Sequence, residues 1–319
     1  MMRCAFVVSV CLGASCAGDQ PGAKAGAGDD VLDATLDYPA TDADIVLEPP
    51  PFTIDAYADA MTCWFSTWEG PDVGVVSGRF LQSPSYGHHV IVMRTNADAD
   101  DYPDGTQVDC TASDALDMTE MEPFVLPDAP IEKGTSLLDL PPGMANKLKA
   151  GERFLVQSHH VNYEGQPIRV NDRIELDIVP IAEVEVFAAP LVHTSTSFSL
   201  PPGPSEVVVN CTFEESVSFL YVLGHMHEWG TAITVDYHKA DGSTERLYGV
   251  DEWQVGFRDL PPIDYYDEQP LTVEAGESFT TTCAYDNTTN EPLGFPEEMC
   301  VMTGIAYPLT VPVICDVEG

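Results

Sequence analysis

The most constraining feature of the sequence is a series of short runs rich in β-branched and aromatic residues, which begins near residue 52. Glycine, proline and aspartate separate these runs, and the sequence contains no convincing long amphipathic helical pattern. Short apolar segments with frequent turn residues are typical of antiparallel sandwiches. The sequence therefore predicts an all-β protein. Representative runs are HHVIVMRT, RFLVQSHHV, RIELDIV, SEVVVNCTF and SVSFLYVLG.

An internal sequence repeat indicates two related β-domains in tandem. The segment AGERFLVQSHHVN at 150–162 aligns without gaps to AGESFTTTCAYDN at 275–287, and a Gly-His pair lies upstream of each copy. A chain of 319 residues is long enough for two domains of ordinary size. We expect two antiparallel, jelly-roll-like β-sandwiches, the first at 49–187 and the second at 188–319.

The first 17 residues have the pattern of an export signal, in which Arg3 precedes an apolar run too short for a permanent membrane helix. Two processing routes are open. Cys16 would be lipidated and anchor the chain to a membrane, as in bacterial lipoproteins, or signal peptidase would cleave after Ala17. Residues 18–48 are rich in alanine, glycine, aspartate and proline and predict a flexible acidic tether. We expect an exported protein, either secreted or held in the cell envelope, in the periplasm or at the outer membrane.

Charge and cysteine content narrow the functional classes. The chain has 52 acidic and 13 basic residues, and its formal net charge is −39. Such an acidic excess argues against nucleic acid or anionic lipid as a partner. Six cysteines lie beyond the signal segment, an even number that predicts disulfides in an exported chain. They lack Cys-x-x-Cys spacing, so a thiolate zinc site is not expected.

Six of the eight histidines occur in three tight groups, His88–His89, His159–His160 and His225 with His227. Alternate residues of a strand share a face, so His225 and His227 can bind one metal ion, although two half-buried polar residues would give the same pattern. Adjacent strand residues face opposite sides. His88 and His89 can therefore share an ion only if a β-bulge or a strand end re-aims one of them. By the same argument, at most one histidine of the other adjacent pair is a ligand.

The histidine groups and the C-terminal segment EEMCVMTGIAYP follow an order found in a known family. Between residues 55 and 315 the chain carries a His-His pair, then Gln-x-His, then His-x-His, then Glu-Met-Cys. This ordered set resembles the copper type II, ascorbate-dependent monooxygenases, the family of peptidylglycine α-hydroxylating monooxygenase and dopamine β-monooxygenase. The chain looks like an exported member of bacterial type, and its Glu-Met-Cys segment is most similar to the dopamine β-monooxygenase version.

The resemblance implies two copper ions in each chain. His88, His89 and His159 match the three ligands of the electron-transfer copper, called copper H. Gln157 matches the glutamine two residues before the last of these histidines. His160 falls where the family has tyrosine and is not expected to be a ligand.

His225, His227 and Met299 match the ligands of the oxygen-binding copper, called copper M, which is the catalytic site that the resemblance implies. A thioether is a soft ligand that suits Cu(I) and contributes little to zinc or calcium sites. A methionine without this context would be read as core packing.

The resemblance also bears on the cysteines. In the second domain it implies the disulfides Cys211–Cys315 and Cys283–Cys300. Elimination then leaves Cys63–Cys110 for the first domain. The bridge from Cys283 would hold the neighbouring Met299 in place.

The residues that hold a carboxylate-terminated peptide in the peptide-amidating members are replaced here. Leu223 stands at the position of an arginine, Thr303 at that of a tyrosine, and Val301 at that of a neighbouring asparagine. Because charge-assisted hydrogen bonds would be lost, a peptidylglycine substrate is not expected. Trp229 and Tyr307 are candidates for lining an apolar pocket, or else core aromatics.

Together with the export signal, the resemblance thus implies an exported copper monooxygenase. It would hydroxylate a small organic substrate with dioxygen and a second donor such as reduced ascorbate. All six ligand positions are retained, which favours an enzyme. Two other interpretations remain open: a non-catalytic copper-binding lipoprotein of the cell envelope on the same scaffold, and a β-sandwich adhesion module whose histidines bind no metal.

Overall fold

A computed structural model describes residues 31–110, 122–125, 129–132, 134–258, 260–266, 269–295 and 297–316. These residues form β-strands and two short 3-10 helices, Ile181–Glu183 and Val255–Arg258, and they contain no α-helix. The prediction of an all-β protein is confirmed. No helix among the described residues has the length and apolarity needed to cross a membrane.

The strands of the first half are β1 (Leu32–Asp33), β2 (Ile45–Leu47), β3 (Phe52–Ile54), β4 (Asp59–Thr67), β5 (Val73–Leu81), β6 (Gly87–Arg94), β7 (Gln107–Asp109), β8 (Glu122–Val125), β9 (Ala129–Glu132), β10 (Thr135–Asp139), β11 (Met144–Leu148), β12 (Arg153–Val161), β13 (Ile168–Val170), β14 (Arg173–Pro180) and β15 (Val186–Phe187). The strands of the second half are β16 (Ala189–Thr194), β17 (Gly203–Thr212), β18 (Val217–His225), β19 (Gly230–His238), β20 (Thr244–Val250), β21 (Ile263–Tyr265), β22 (Leu271–Val273), β23 (Ser278–Asn287), β24 (Val301–Tyr307) and β25 (Val313–Asp316).

Each half is a β-sandwich. In the first, a seven-stranded sheet with the path β15-β11-β5-β10-β9, to which β14 and β2 add, packs on the five-stranded sheet β7-β4-β12-β6-β8. In the second, a six-stranded sheet with the path β21-β18-β24-β16-β25, extended by β22, packs on the four-stranded sheet β17-β23-β19-β20. The chain crosses from sheet to sheet between β16, β17, β18 and β19, as in jelly rolls. Most pairs are antiparallel, and three short pairs are parallel.

Side-chain alternation explains which strands form outer walls and which lie inside. In β17, Val207, Val209 and Cys211 are buried, whereas the intervening Val208 and Asn210 are exposed, which is the pattern of a strand with one solvated face. β12 is buried along nearly its whole length, because Phe154 and Val156 pack into the core between the two sheets and Leu155 packs into a smaller cluster on the other face. The histidines that β12 carries are therefore placed in the interior.

The two sandwiches share an apolar cluster. Val90 and Val92 of β6 belong to the same buried cluster as Tyr221 and Leu223 of β18 and Ile305 of β24. Tyr221, Leu223 and Ile305 of the second half are thus buried among core residues of the first half, and this burial holds the sandwiches together.

Residues 31–48 do not form the flexible tether that the composition predicts. β1 pairs in parallel with β13, and β2 pairs with β14 at the edge of the large sheet. The amide of Leu36 donates to Oδ1 of Asn171 at 2.7 Å, and Leu47 is buried. The prediction of a tether is therefore wrong for this part, because a few apolar residues and backbone pairing outweigh the acidic composition. Residues 1–30, with the export signal and the candidate lipidation site, lie outside the described residues.

The three expected disulfides are present: Cys63–Cys110, Cys211–Cys315 and Cys283–Cys300. The first lies in the five-stranded sheet, where it joins β4 to the residue that follows β7. The other two lie in the second sandwich. Three disulfides are typical of an exported protein.

Candidate metal centre

A β-bulge at His88 brings two adjacent histidines to one side of β6. In the pairing of β6 with β12, His89 lies opposite His159, but Gly87 lies opposite His160. His88 is therefore the extra residue of a bulge, and a bulge re-aims the side chain that it carries. The rings of His88 and His89 have centroids 5.1 Å apart. The condition under which these two histidines can share an ion is met.

His88, His89 and His159 form a compact trio. Each offers a ring nitrogen, and these nitrogens lie within 4.8 Å of one another. Nε2 of His159 lies 2.6 Å from Oδ1 of Asp59, to which it donates a hydrogen bond. Nδ1 of the same ring is buried and makes no hydrogen bond with any described residue, which is the state of a nitrogen left for a metal ion. Carboxylate partners of this kind orient metal-binding imidazoles.

The amide side chains of two glutamines hold His89 in place. Oε1 of Gln157 lies 3.1 Å from Nε2 of His89 and accepts a hydrogen bond from it, so Nδ1 of His89 keeps the lone pair. On the other side of the strand, the amide of Gln82 donates to the carbonyl of His89 at 2.9 Å. His160 points away from the trio, with Nε2 2.8 Å from Oδ1 of the buried Asp172.

His225 and His227 form a second group at the end of β18. Their Nε2 atoms are 3.1 Å apart. Because metal–nitrogen bonds of about 2.0–2.1 Å place two ligands of one ion about 3 Å apart, this spacing fits two donors to a single ion. The prediction that both lie on one strand face is wrong in detail, because β18 ends at His225 and His227 lies in the loop that follows. Its Nδ1 donates to the carbonyl of Glu297 at 3.1 Å, which leaves Nε2 facing His225.

Glu298 joins the loop of His227 to the segment of Met299. Its carboxylate is fully buried and accepts hydrogen bonds from the backbone amides of His227, of Trp229 at 2.9 Å and of Met299 at 3.0 Å. Burial raises the pKa of Glu298, and the three backbone donors oppose that rise. The hydroxyl of Tyr285 donates to the carbonyl of Met299 at 2.7 Å. The methionine segment is thus held by a carboxylate, a tyrosine and the neighbouring disulfide.

Burial keeps three of the imidazoles neutral near pH 7. Loss of hydration lowers the pKa of His89 well below its usual value. It also lowers the pKa of His159, although the hydrogen bond to Asp59 opposes this shift. The pKa of His227 falls to about 4, again chiefly through burial. Neutral imidazole is the form that binds metal ions, so these side chains need not lose protons first.

The trio and the pair meet at the junction of the sandwiches. The ring of His88 lies 6.3 Å from that of His225 and 6.1 Å from that of His227, measured between centroids. Each ligand set comes from its own half of the chain, as the resemblance implies. The two sets nevertheless lie side by side, because the bulge of β6 and the end of β18 face each other.

A cleft of about 440 Å³ opens beside the histidines. Both sandwiches contribute to its wall, which consists of Asp59, Met61, His89, His159, Val161, Tyr163, His227, Glu228, Trp229, Arg258, Glu297 and Met299. Arg258 of the second 3-10 helix lies 4.0 Å from Glu228 and donates to the hydroxyl of Tyr163 at 3.3 Å.

Several residues of this wall were not expected, and some expected residues lie elsewhere. Trp229 lines the cleft, whereas Tyr307 packs against the apolar cluster shared by the sandwiches. Leu223 belongs to that cluster as well, and the hydroxyl of Thr303 donates to the carbonyl of Leu191. Arg258 could not be predicted from the sequence, because its segment carries no motif and only the folding of the chain brings it to the cleft.

Comparisons with known proteins add little to this description. No family model and no curated protein matches the sequence. Among solved structures, PNGase F, a glycosylasparaginase from Flavobacterium meningosepticum, is 9% identical with a TM-score of 0.32, and the match covers 83% of this chain and 97% of that one. The major capsid protein P2 from bacteriophage PM2 is 9% identical with a TM-score of 0.33, over 80% and 98% of the two chains. Similarity at this level says nothing about function.

Proposed function

We propose that the protein is an exported copper-dependent monooxygenase that hydroxylates a small organic substrate with dioxygen and an external reductant such as ascorbate. The observation that carries the proposal is the convergence of five histidines, from both sandwiches, beside a cleft that Met299 also lines. Imidazole together with a thioether is a donor set that suits copper. Cell-envelope attachment through Cys16 is part of the proposal.

Two copper ions would be shared among these donors. His88, His89 and His159 would hold one of them, and His225, His227 and Met299 the other. The buried Nδ1 of His159 supports the first assignment, because a polar atom that lacks a hydrogen bond needs another partner. Bound copper would supply one-electron transfer and oxygen activation, which side chains alone do not provide.

The chain itself orients the ligands and the substrate. Asp59 and Gln157 hold the proton on one nitrogen of their histidines and leave the other nitrogen as the donor. Glu298 fixes the loop of His227 relative to Met299. A cleft of about 440 Å³ is of the size that encloses a small organic molecule.

The cleft combines apolar and polar walls. Val161, Tyr163 and Trp229 offer apolar surface, while Arg258 and Glu228 place one charge of each sign at its edge. A substrate with an apolar body and a polar end fits these walls. Binding against the apolar side would orient the bond to be hydroxylated and exclude water from it.

Metal analysis and oxygen uptake test the proposal directly. After copper loading and dialysis, we expect two coppers per chain and ascorbate-dependent oxygen uptake that rises with a hydroxylatable substrate from a screen. Retained zinc, or a single copper, would contradict the two-copper assignment. Two coppers without substrate-coupled oxygen uptake would favour the non-catalytic copper-binding lipoprotein.

Met299→Leu separates a ligand from a packing residue. A volume-conserving exchange is expected to cost less than about 1.5 kcal/mol of stability. We expect X-ray absorption of the Cu(I) protein to lose its sulfur contribution, and turnover to be lost with it. Met302→Leu is the matched control, because Met302 is fully buried in the second sandwich core and is not part of the cleft wall. An unchanged sulfur contribution in Met299→Leu would refute the ligand role.

A further inference from the structure

A second cavity, of about 550 Å³, has walls from both sandwiches and shares no described lining residue with the cleft beside the histidines. The first sandwich contributes part of β5, the end of β10 and the residues that follow it, and the second contributes β18 and β21. A cavity of this volume is of the size that holds a small molecule. It is therefore a candidate binding site separate from the proposed metal centre.

A β-bulge in β18 shapes one wall of this cavity. Between Phe219 and Tyr221 the pairing with β24 shifts register, so Leu220 is the extra residue. Adjacent residues of a regular strand face opposite sides, whereas here both Leu220 and Tyr221 line the cavity. The amide of Tyr266 donates to the carbonyl of Leu220 at 2.8 Å. A Cβ at Gly304 of β24 would collide with the carbonyl oxygen of Tyr221, so glycine is needed beside the bulge.

Two tyrosines form an aromatic corner in the cavity. Tyr221 lies directly opposite Tyr265 of the edge strand β21, and their ring centroids are 6.2 Å apart with an angle of 54° between the planes. Tyr221 is buried but Tyr265 is 53% exposed, so a ligand that enters the cavity can reach the outer ring. Pro141 and Pro142 of the first sandwich add rigid apolar surface without a backbone N–H. The cavity thus offers π faces and apolar walls.

The charge in the wall favours a cation. Asp139, which is exposed, is the only charged residue among the described residues that line the cavity. The hydroxyl of Ser77, also in the wall, donates to Oδ2 of Asp177 at 2.6 Å, so a second carboxylate lies close by. A ligand that covers Asp139 takes water from its carboxylate, and a positive charge on the ligand offsets that cost. Tyrosine faces attract alkylated ammonium groups, whereas the net charge of −39 repels anions.

We propose that this cavity binds an organic cation with an alkylated ammonium group, which packs against the tyrosine corner and the two prolines with its charge toward Asp139. The alternative occupant is a neutral apolar molecule, to whose binding the carboxylate contributes nothing. The inference goes beyond the proposed function and does not depend on a metal ion.

Isothermal titration calorimetry of the full protein with choline chloride tests the inference. We expect saturable binding of one choline per chain. The alcohol 3,3-dimethylbutan-1-ol, which has the shape of choline without its charge, should bind about tenfold more weakly, because it lacks the attraction to the carboxylate and the ring faces. Tyr265→Ala and Asp139→Asn should each weaken choline binding by about tenfold. Both residues are exposed, so circular dichroism should show an unchanged fold.

Two matched controls separate the cavity from the rest of the surface. Tyr57→Ala removes a tyrosine that is 76% exposed, Asp100→Asn removes an exposed carboxylate, and neither residue lines the cavity. Both variants should bind choline like the wild type. No saturable binding of choline, or equal affinity for the uncharged alcohol, would overturn the inference. Equal weakening by Asp100→Asn and Asp139→Asn would assign the binding to the acidic surface in general and overturn it too. None of these outcomes bears on copper binding or oxygen uptake.

Discussion

Among single residues, Glu298 links the two segments that carry His227 and Met299. Its carboxylate accepts three backbone amides and is fully buried, so a change at this position acts on both the loop of His227 and the segment of Met299. In Glu298→Gln an NH2 group replaces one carboxylate oxygen, and this group cannot accept a hydrogen bond from a backbone amide. We expect a loss of stability of about 1–3 kcal/mol. Copper should be lost from the pair before the trio.

Urea unfolding and copper titration of Glu298→Gln would check this expectation. Glu297→Gln is the matched control, because its side chain is exposed and its carbonyl, the acceptor for His227, is retained. Equal copper affinities in the two variants would show that Glu298 does not position the ligands.

His193 gives the second sandwich a pH-dependent stability away from the cleft. It is fully buried, Nδ1 lies 2.9 Å from the hydroxyl of Thr281, and burial lowers its pKa to about 4. Between pH 6.5, the usual value, and pH 4, the unfolded chain binds a proton that the folded chain does not. The contribution is therefore complete above pH 6.5 and is lost as the pH falls, by up to about 1.4 kcal/mol per pH unit.

Urea unfolding of the metal-free protein at several pH values would measure this slope. We expect His193→Gln to lower the slope between pH 6.5 and pH 4, whatever its effect on stability at pH 7. His238→Gln, a half-buried histidine of β19, should leave the slope unchanged. A slope that His193→Gln does not alter would assign the proton uptake to other groups.

At the scale of elements, the bulge of β6 decides whether the trio exists. Gln82 contacts the bulged strand from the residue that follows β5, through its hydrogen bond to the carbonyl of His89. In Gln82→Leu this donor is removed, and an apolar side chain of similar size takes its place. We expect weaker copper binding by the trio, with copper in the pair retained.

Copper titration followed by X-ray absorption would detect the change produced by Gln82→Leu. Gln107→Leu provides the comparison, because Gln107 donates to the hydroxyl of Thr62 in the same sheet without touching the bulge. If both variants bind copper like the wild type, Gln82 does not support the trio.

Different elements were predictable from the sequence to different degrees. The β class could be predicted because strand alternation and turn residues are local signals, as the alternation of β17 shows. The sequence indicated that a bulge was needed, but not that it falls at His88, since an extra residue changes no residue type. The role of Glu298 was not predictable, because its partner His227 is 71 residues away. The strands within 31–48 were not predicted, because the acidic residues around them mask the short apolar runs.

For the whole molecule, the shared apolar cluster makes the two sandwiches depend on each other. Separating them would expose Tyr221, Leu223 and Ile305 to water. We therefore expect the metal-free protein to unfold in urea in a single cooperative transition. The position of the metal centre at the junction follows from the same contact.

Tryptophan fluorescence can follow each sandwich separately. Trp64 and Trp68 lie in the first half, and Trp229 and Trp253 in the second. Replacing either pair with phenylalanine leaves a probe in one sandwich, and the two variants should report the same midpoint as circular dichroism. Midpoints that differ between the two probes would show that the halves unfold independently.

The bulge at His88 also has an evolutionary consequence. In an unbroken strand, neighbouring side chains point to opposite faces, so a His-His pair could place only one ring toward the junction. Insertion of a single codon in β6 is enough to add a second, convergent ligand without altering the rest of the sheet. A homologue that lacks this codon would keep the sandwich but would have one residue fewer between Gly87 and the buried Val90, and it would lose the trio. The spacing between these two residues is thus a genomic marker of the metal centre.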